Sequence, residues 1–258
     1  QTGRDLLELW RRGEVVQYSL TLVEGWTFRQ VRAALAGQER LEHTLSGLDD
    51  AAVMQRLGLD GQHPEGRFFP DTYRYVRGMR DIDLLRQAHE RLSSVLDEEW
   101  SRRAADLPYA SPYQALIMAS LVEKETGVAQ ERGEIAGLFI RRLHEGMLLQ
   151  TDPTVIYGLG ERYAGNLTRA HLREPTPYNT YLNPGLPPTP IAMVGREALH
   201  AALHPAAGDS LYFVARGDGT HVFTRSLDEH NRAVREFQLK RRADYRSSPA
   251  AATQGNAQ

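Results

Sequence analysis

No cysteine occurs anywhere in the chain. That excludes disulfides, thiolate zinc sites, iron–sulfur clusters and thiol nucleophiles. It does not choose between a reducing cytoplasm and an oxidising bacterial envelope. Long apolar runs are also missing: the longest uncharged apolar run is about eight residues, against the roughly 20 that cross a bilayer. No sign of charge dominates, since the net charge is −2 over 258 residues. No general attraction to nucleic acid or anionic lipid follows, and no nucleic-acid partner is expected. Familiar catalytic signatures are missing too: there is no Walker-type phosphate loop, no HExxH and no G-x-S-x-G elbow. Gly158-Leu-Gly160 opens like a dinucleotide loop but lacks the third glycine. The nine histidines read as lacking ligand spacing, so neither a metal nor a cofactor is expected. No signal peptide is visible. The chain opens on Gln1, which reads as a cut start and leaves room for an anchor upstream.

What is present is ordinary in bulk, with 41% hydrophobic and 25% charged residues, enough for one large domain or two modest ones. The informative stretch is Ala115-Leu-Ile-Met-Ala-Ser-Leu-Val-Glu-Lys-Glu-Thr126. Ser111-Pro112-Tyr113-Gln114 before it reads as a capping box with proline at the first helical position, and Gly127 as the stop. The spacing predicts a helix over Pro112–Thr126, apolar all round and therefore buried. Glu123 and Glu125, two residues apart, are separated by roughly 200° around a helix. Glu125 continues the line of Met118 and Leu121, whereas Glu123 continues that of Leu116, Ala119 and Ser120. One is expected to face a cleft and the other to pair with a neighbour. Burial and the negative end of the helix dipole both disfavour ionisation, as a general acid requires. The plainer alternative is that both are solvated residues in a last turn.

Along the chain, Gln17–Val23 alternates like a half-buried strand. Short helices are expected over Phe28–Leu35, behind Thr27, and over Asp50–Leu57. An aromatic stretch, Arg67–Val76, completes a small α+β unit. Amphipathic helices follow over Arg80–Arg103 and Gln130–Glu145. Leu148–Pro190, dense in Pro, Gly, Tyr, Asn and Thr, reads as one functional loop of over 40 residues. Then come a short helix Glu197–Ala202, a hairpin Ser210–Ala215 and Thr220–Thr224 around Gly217-Asp218-Gly219, and a last helix Asp228–Arg242. The division expected is an N-terminal unit over 1–80, a catalytic unit over 81–245, and a disordered tail over 246–258.

Several polar groups could line one site: Gln150, Thr151, Asp152, Thr154 and Tyr157 after a helix stop, Tyr178, Asn179 and Tyr181 in the aromatic loop, and His221 later. Rings with amides and hydroxyls suit a sugar polymer, whose apolar faces stack while its hydroxyls need fixed partners. Residue by residue, the competing reading is that Thr151 and Asp152 cap a turn, Asn179 holds a loop and the histidines are ordinary.

At this point the chain resembles the MltG/YceG family of bacterial endolytic murein transglycosylases. The resemblance rests on Glu65-Gly-Arg-Phe-Phe-Pro-Asp-Thr-Tyr73, Ala119-Ser-Leu-Val-Glu-Lys-Glu-Thr126 and Gln150-Thr-Asp-Pro-Thr-Val-Ile-Tyr157. It rests also on Tyr178-Asn-Thr-Tyr181, Gly185-Leu-Pro-Pro188 and the His221 to His230-Asn231 region. These six motifs stand in family order over roughly Val15–Arg242, with Thr189 where a small residue is expected. The resemblance implies an α+β fold: a small LysM-like α+β subdomain, then a mixed catalytic domain with a lysozyme-like glutamate helix. It implies Glu125 as the catalytic acid, because Thr126 supplies the hydroxyl residue placed after the acid, and Glu123 as support. It implies no metal or cofactor, peptidoglycan glycan strands as substrate, and peptidoglycan synthases as candidate partners. The folded part would lie in the periplasm, tied to the inner membrane by an anchor outside this chain.

The implied reaction is cleavage of the MurNAc–GlcNAc bond to leave a 1,6-anhydroMurNAc end, with termination of nascent strands as its role. A lytic transglycosylase can work with one carboxyl group, whereas most glycoside hydrolases need two. The rivals are a hydrolytic muramidase, with Asp152 or Asp71 as its second carboxylate, a non-catalytic peptidoglycan-binding scaffold, and more remotely a peptidase.

Overall fold

The computed structural model describes residues 16–239. The chain begins there with β1 (Gln17–Thr21), α1 (Phe28–Ala36), α2 (Asp50–Arg56) and β2 (Thr72–Val76). β1 and β2 pair antiparallel, Gln17 opposite Val76 and Thr21 opposite Thr72. Alternation along β2 turns Tyr73 and Tyr75 inward, as a period of two requires. α1 starts where it does because Thr27 and Gln30 close a reciprocal capping box. Phe28, Val31 and Leu35 then face a core with Met54, Phe68 and Tyr73.

Helix α3 (Asp81–Ser101) is shared between two cores. Ile82, Leu85 and Ala88 belong to the small one, while Leu92 and Val95 belong to the larger. The division expected at 80/81 therefore falls at the start of a helix whose first half packs with the small unit. The larger core surrounds α4 (Pro112–Glu125), with α5 (Arg132–His144), α6 (Asp152–Leu159) and α7 (Arg196–Leu203). All eight residues from Ala115 to Val122 are buried. A hairpin of β3 (Tyr212–Ala215) and β4 (His221–Thr224) leads to α8 (Leu227–Val234) and a π-turn, Arg235–Leu239. Two small antiparallel sheets beside these helices make the fold α+β. Among the described residues no helix is long and apolar enough to cross a membrane.

Three expectations change. The stretch read as one long loop contains α6, with Pro153 in its first turn, where proline's missing N–H has no helical partner to lose. The Ser111 cap forms, accepting from the Gln114 N–H, but the Gln114 side chain reaches back to the Ala110 N–H instead of closing a box on Ser111. The last helix turns to π geometry after Val234. The expected continuation over 240–242, the tail over 246–258 and the first 15 residues of the N-terminal unit lie outside the described residues.

Candidate active site

The two glutamates diverge as helical spacing requires. Helix α4 ends on Glu125, and Thr126 leaves it in extended conformation (φ −140°, ψ 136°). The Glu125 carboxyl meets the segment entering α6, where the Thr151 hydroxyl donates to its Oε1. Thr151 occupies the N-cap position of α6 yet makes no side-chain cap: its hydroxyl is committed to Glu125. Burial pushes the Glu125 carboxyl up to about 7, the Thr151 hydrogen bond opposes the shift, and the nearby Asp152 charge adds to it. A carboxyl poised there is protonated often enough to act as an acid and ionises readily to act as a base.

The loop around Glu125 is built by hydroxyls. Thr180, fully buried, accepts from the Thr151 N–H (3.1 Å) and shares a hydrogen bond with Thr154 Oγ1 (2.8 Å), while its carbonyl accepts from the Gln150 N–H (3.1 Å). Gln150 is exposed and left-handed (φ +53°), a conformation costly for a residue with a Cβ and held here by its neighbours. Its side-chain oxygen accepts from Arg142 (3.3 Å). Asp152 accepts from the Tyr181 hydroxyl (2.7 Å), so the second carboxylate near Glu125 is already engaged. Asp71, the other hydrolase candidate, is an exposed residue beside β2 whose side chain accepts from the Thr72 N–H; nothing links it to this site.

Glu123 points to α7. Its Oε2 accepts the Gly195 N–H (3.1 Å) at that helix's start. Burial and then the neighbouring Glu24 charge raise its pKa, which the Gly195 hydrogen bond opposes. It supports geometry and does not share the Glu125 environment.

Of the expected sugar contacts, Asp152, Gln150 and Tyr181 border Glu125 with surface to offer. Thr154 and Asn179 are fully buried and make their hydrogen bonds within the loop. Asn179 has no exposed surface. Its amide donates to the Leu172 and Glu174 carbonyls (3.1 and 2.8 Å), and its oxygen accepts the Tyr181 N–H (2.9 Å). Thr154 is equally buried and donates to the Thr151 carbonyl (2.7 Å). Both shape the loop that carries the site. Tyr157 and Tyr178 pack edge to face at 4.7 Å, and the Tyr178 hydroxyl pairs with Thr189 (2.9 Å). His221 is buried, with Nδ1 on Glu131 (2.7 Å).

Two further carboxylates near the site were not singled out as site residues from the sequence. Glu131 accepts from both the His221 N–H (2.8 Å) and the Thr126 hydroxyl (3.3 Å), linking β4 to the residue after Glu125. Glu65 is buried where the small unit meets the large one, accepting from the Phe28 N–H (2.9 Å) and the Tyr157 hydroxyl (3.0 Å). Burial lifts it to about 7, against those hydrogen bonds. Neither residue sits in a periodic pattern; Glu65 opens one of the motifs that carry the family resemblance, and its partners, like those of Glu131, come from distant segments. His200 and His204 lie four apart at the end of α7 and converge with Glu99. A cleft of about 480 Å³ lined by Arg32, His43 and Asp81 among others shares no residue with the Glu125 site.

The YceG-like family profile matches residues 1–236. An endolytic murein transglycosylase of Bacillus subtilis (strain 168) is 33% identical over 237 residues, covering 85% of this chain and 65% of the relative. One from Streptococcus pneumoniae D39 is 29% identical over 186 residues, covering 67% and 32%. The crystal structure of a yceG-like protein from Listeria monocytogenes matches with a TM-score of 0.70 at 30% identity, over 90% of this chain and 81% of that one. The chain thus spans just under two thirds, and about a third, of the curated relatives' lengths.

Proposed function

The chain belongs to the YceG-like family, and from that premise we propose that it is an endolytic lytic transglycosylase of peptidoglycan glycan strands with Glu125 as its acid and base. The observation that carries the reading is the Glu125 carboxyl itself: at the end of a buried helix, raised to about 7, and held by one hydroxyl. The acid protonates the oxygen linking MurNAc to GlcNAc. The resulting carboxylate takes the proton from the MurNAc C6 hydroxyl, which closes onto C1 and leaves a 1,6-anhydro end. The proton returns to Glu125 at the close of the cycle, so one carboxyl suffices. A hydrolase would need a second carboxylate to activate water; Asp152, which accepts from Tyr181 on one oxygen, is the residue such a reading would use. Tyr181 and Gln150 flank the Thr151 segment that holds Glu125 and offer the sugar polar contacts. The β-α-α-β unit at the N-terminus is read as LysM-like, an additional glycan contact. In this reading the enzyme works in the periplasm from an inner-membrane anchor outside the chain, terminating strands beside peptidoglycan synthases.

Mass spectrometry of products from purified glycan strands tests the proposal. Anhydro ends, lighter than reducing ends by one water, are expected. Reducing ends would identify a hydrolase, and intact strands a binding protein. Tyr181→Ala is expected to weaken cleavage several-fold while melting close to the parent.

A further inference from the structure

Outside the Glu125 site, the last turn of α3 meets the last turn of α7. Glu99, on α3, is buried, with one oxygen accepting from Arg196 Nη1 (2.7 Å) and the other 2.9 Å from His200 Nδ1. His200 lies in the last turn of α7 and His204 caps that turn, its N–H donating to the His200 carbonyl (2.7 Å). Their rings stack with centroids 4.4 Å apart and planes 30° apart. One ligand atom from each of the three residues lies within 4.8 Å of the other two.

An ion pair with Arg196 and one hydrogen bond from His200 would satisfy Glu99 without His204. The third group is therefore unexplained by the pairing alone. Each imidazole offers one ring-nitrogen lone pair to a cation. Two imidazoles and a carboxylate suit a zinc-class ion, with bonds of about 2.0–2.2 Å and a fourth position left for water. Ligand atoms around such an ion stand about 3 Å apart, so binding would draw the set in from its present span of up to 4.8 Å. Arg196 fixes the free carboxylate oxygen and is itself balanced by Glu98 (2.8 Å); partners of this kind orient a ligand. We propose that Glu99, His200 and His204 form a structural site for a zinc-class divalent cation that clips the end of α7 to the end of α3. The clip would steady the helix whose N-cap, Gly195, donates its N–H to Glu123.

The test uses the full chain freed of metal by a chelator, titrated with zinc chloride by calorimetry and melted with and without zinc. Binding of one equivalent in the micromolar range is expected, with a rise of a few degrees in melting temperature and no rise with magnesium. His200→Ala and His204→Ala should each weaken zinc binding at least tenfold and remove the thermal shift. Neither side chain is buried, so both variants are expected to fold without metal. Glu99→Gln should weaken binding too, but Glu99 also anchors Arg196, so the histidine variants decide. Absence of saturable zinc binding would overturn the proposal, as would unchanged affinity and thermal shift in the His200→Ala, His204→Ala double variant.

Discussion

At the scale of single residues, Glu125 couples function to stability with a definite sign. Its carboxyl sits at about 7 in the folded chain against an ordinary 4.5. The fold therefore holds this proton more tightly than the unfolded chain does. The associated stability is fully present below about 4.5 and is lost as pH rises through about 7, an effect of about 3 kcal/mol. Glu125→Gln cannot ionise, so it should melt higher than the parent at pH 8 and close to it at pH 4, while losing strand cleavage. Melting curves of both proteins across that range check this. A glutamine variant clearly less stable at pH 8 would mean that the carboxylate is ionised and favourably paired. Cleavage by the parent should fall as pH rises above about 7, because the acid form is lost. Glu123→Gln keeps an oxygen for the Gly195 N–H and should retain most of its turnover. Loss through Glu123 alone would reverse the two roles.

At the scale of elements, bracing decides where the site loop lies. The sequence suggests that Asn179 could be cut back to alanine with loss of cleavage and little loss of stability. Its burial and three hydrogen bonds predict otherwise. Asn179→Ala strands the Leu172 and Glu174 carbonyls and should cost roughly 2–4 kcal/mol, read as a lower melting temperature and faster proteolysis within 170–185. An unchanged melting temperature would return Asn179 to the sugar contacts. Helix α5 supplies a second case. Glycine to alanine inside a helix ordinarily stabilises by up to about 1 kcal/mol. At Gly137 an added Cβ would meet the Ala206 carbonyl, where the returning chain is pinned by the Ala206 N–H to the Gly133 carbonyl (2.9 Å). Gly137→Ala should therefore destabilise, by roughly 1–3 kcal/mol, as denaturant titration would show.

At the scale of the whole molecule, the junction of the small and large units is polar and specific. The Gly25 N–H donates to the Met193 carbonyl (2.9 Å), the Met193 N–H to the Trp26 carbonyl (2.7 Å), and Met193 is packed into the small core. Gly66 (φ +73°) allows Pro190 close, since a Cβ there would stand 2.5 Å from the proline ring. Glu65 completes the seam, and like Glu125 it should make stability fall between about pH 4.5 and 7. Glu65→Gln keeps a partner for the Phe28 N–H and should flatten part of that fall. Glu65→Ala orphans the Phe28 N–H and the Tyr157 hydroxyl and should destabilise at every pH by roughly 2–4 kcal/mol. Thermal melts of both variants at pH 5 and pH 8 separate the two effects.

What was legible in the chain was what a few neighbouring residues encode. Thr27 and Ser111 start helices because a hydroxyl can take an orphan N–H within three residues. The run Ala115–Val122 declares a buried helix, and its pitch alone sends Glu123 and Glu125 to opposite sides. The small N-terminal α+β unit follows from the same local periodicities, whereas the α+β class of the whole chain was what the family resemblance implied. What those two glutamates meet was decided by tertiary structure: Thr151 for one and Gly195 for the other, 26 and 72 residues away. The same holds for Glu131 with His221, for Glu65 with Tyr157, and for Glu99 with His200 and His204. For Asn179 the sequence offered both a sugar contact and a loop brace, and its burial supports the brace. Burial and partnership across tens of residues depend on how the helices pack, and periodicity within one helix carries no record of its neighbours.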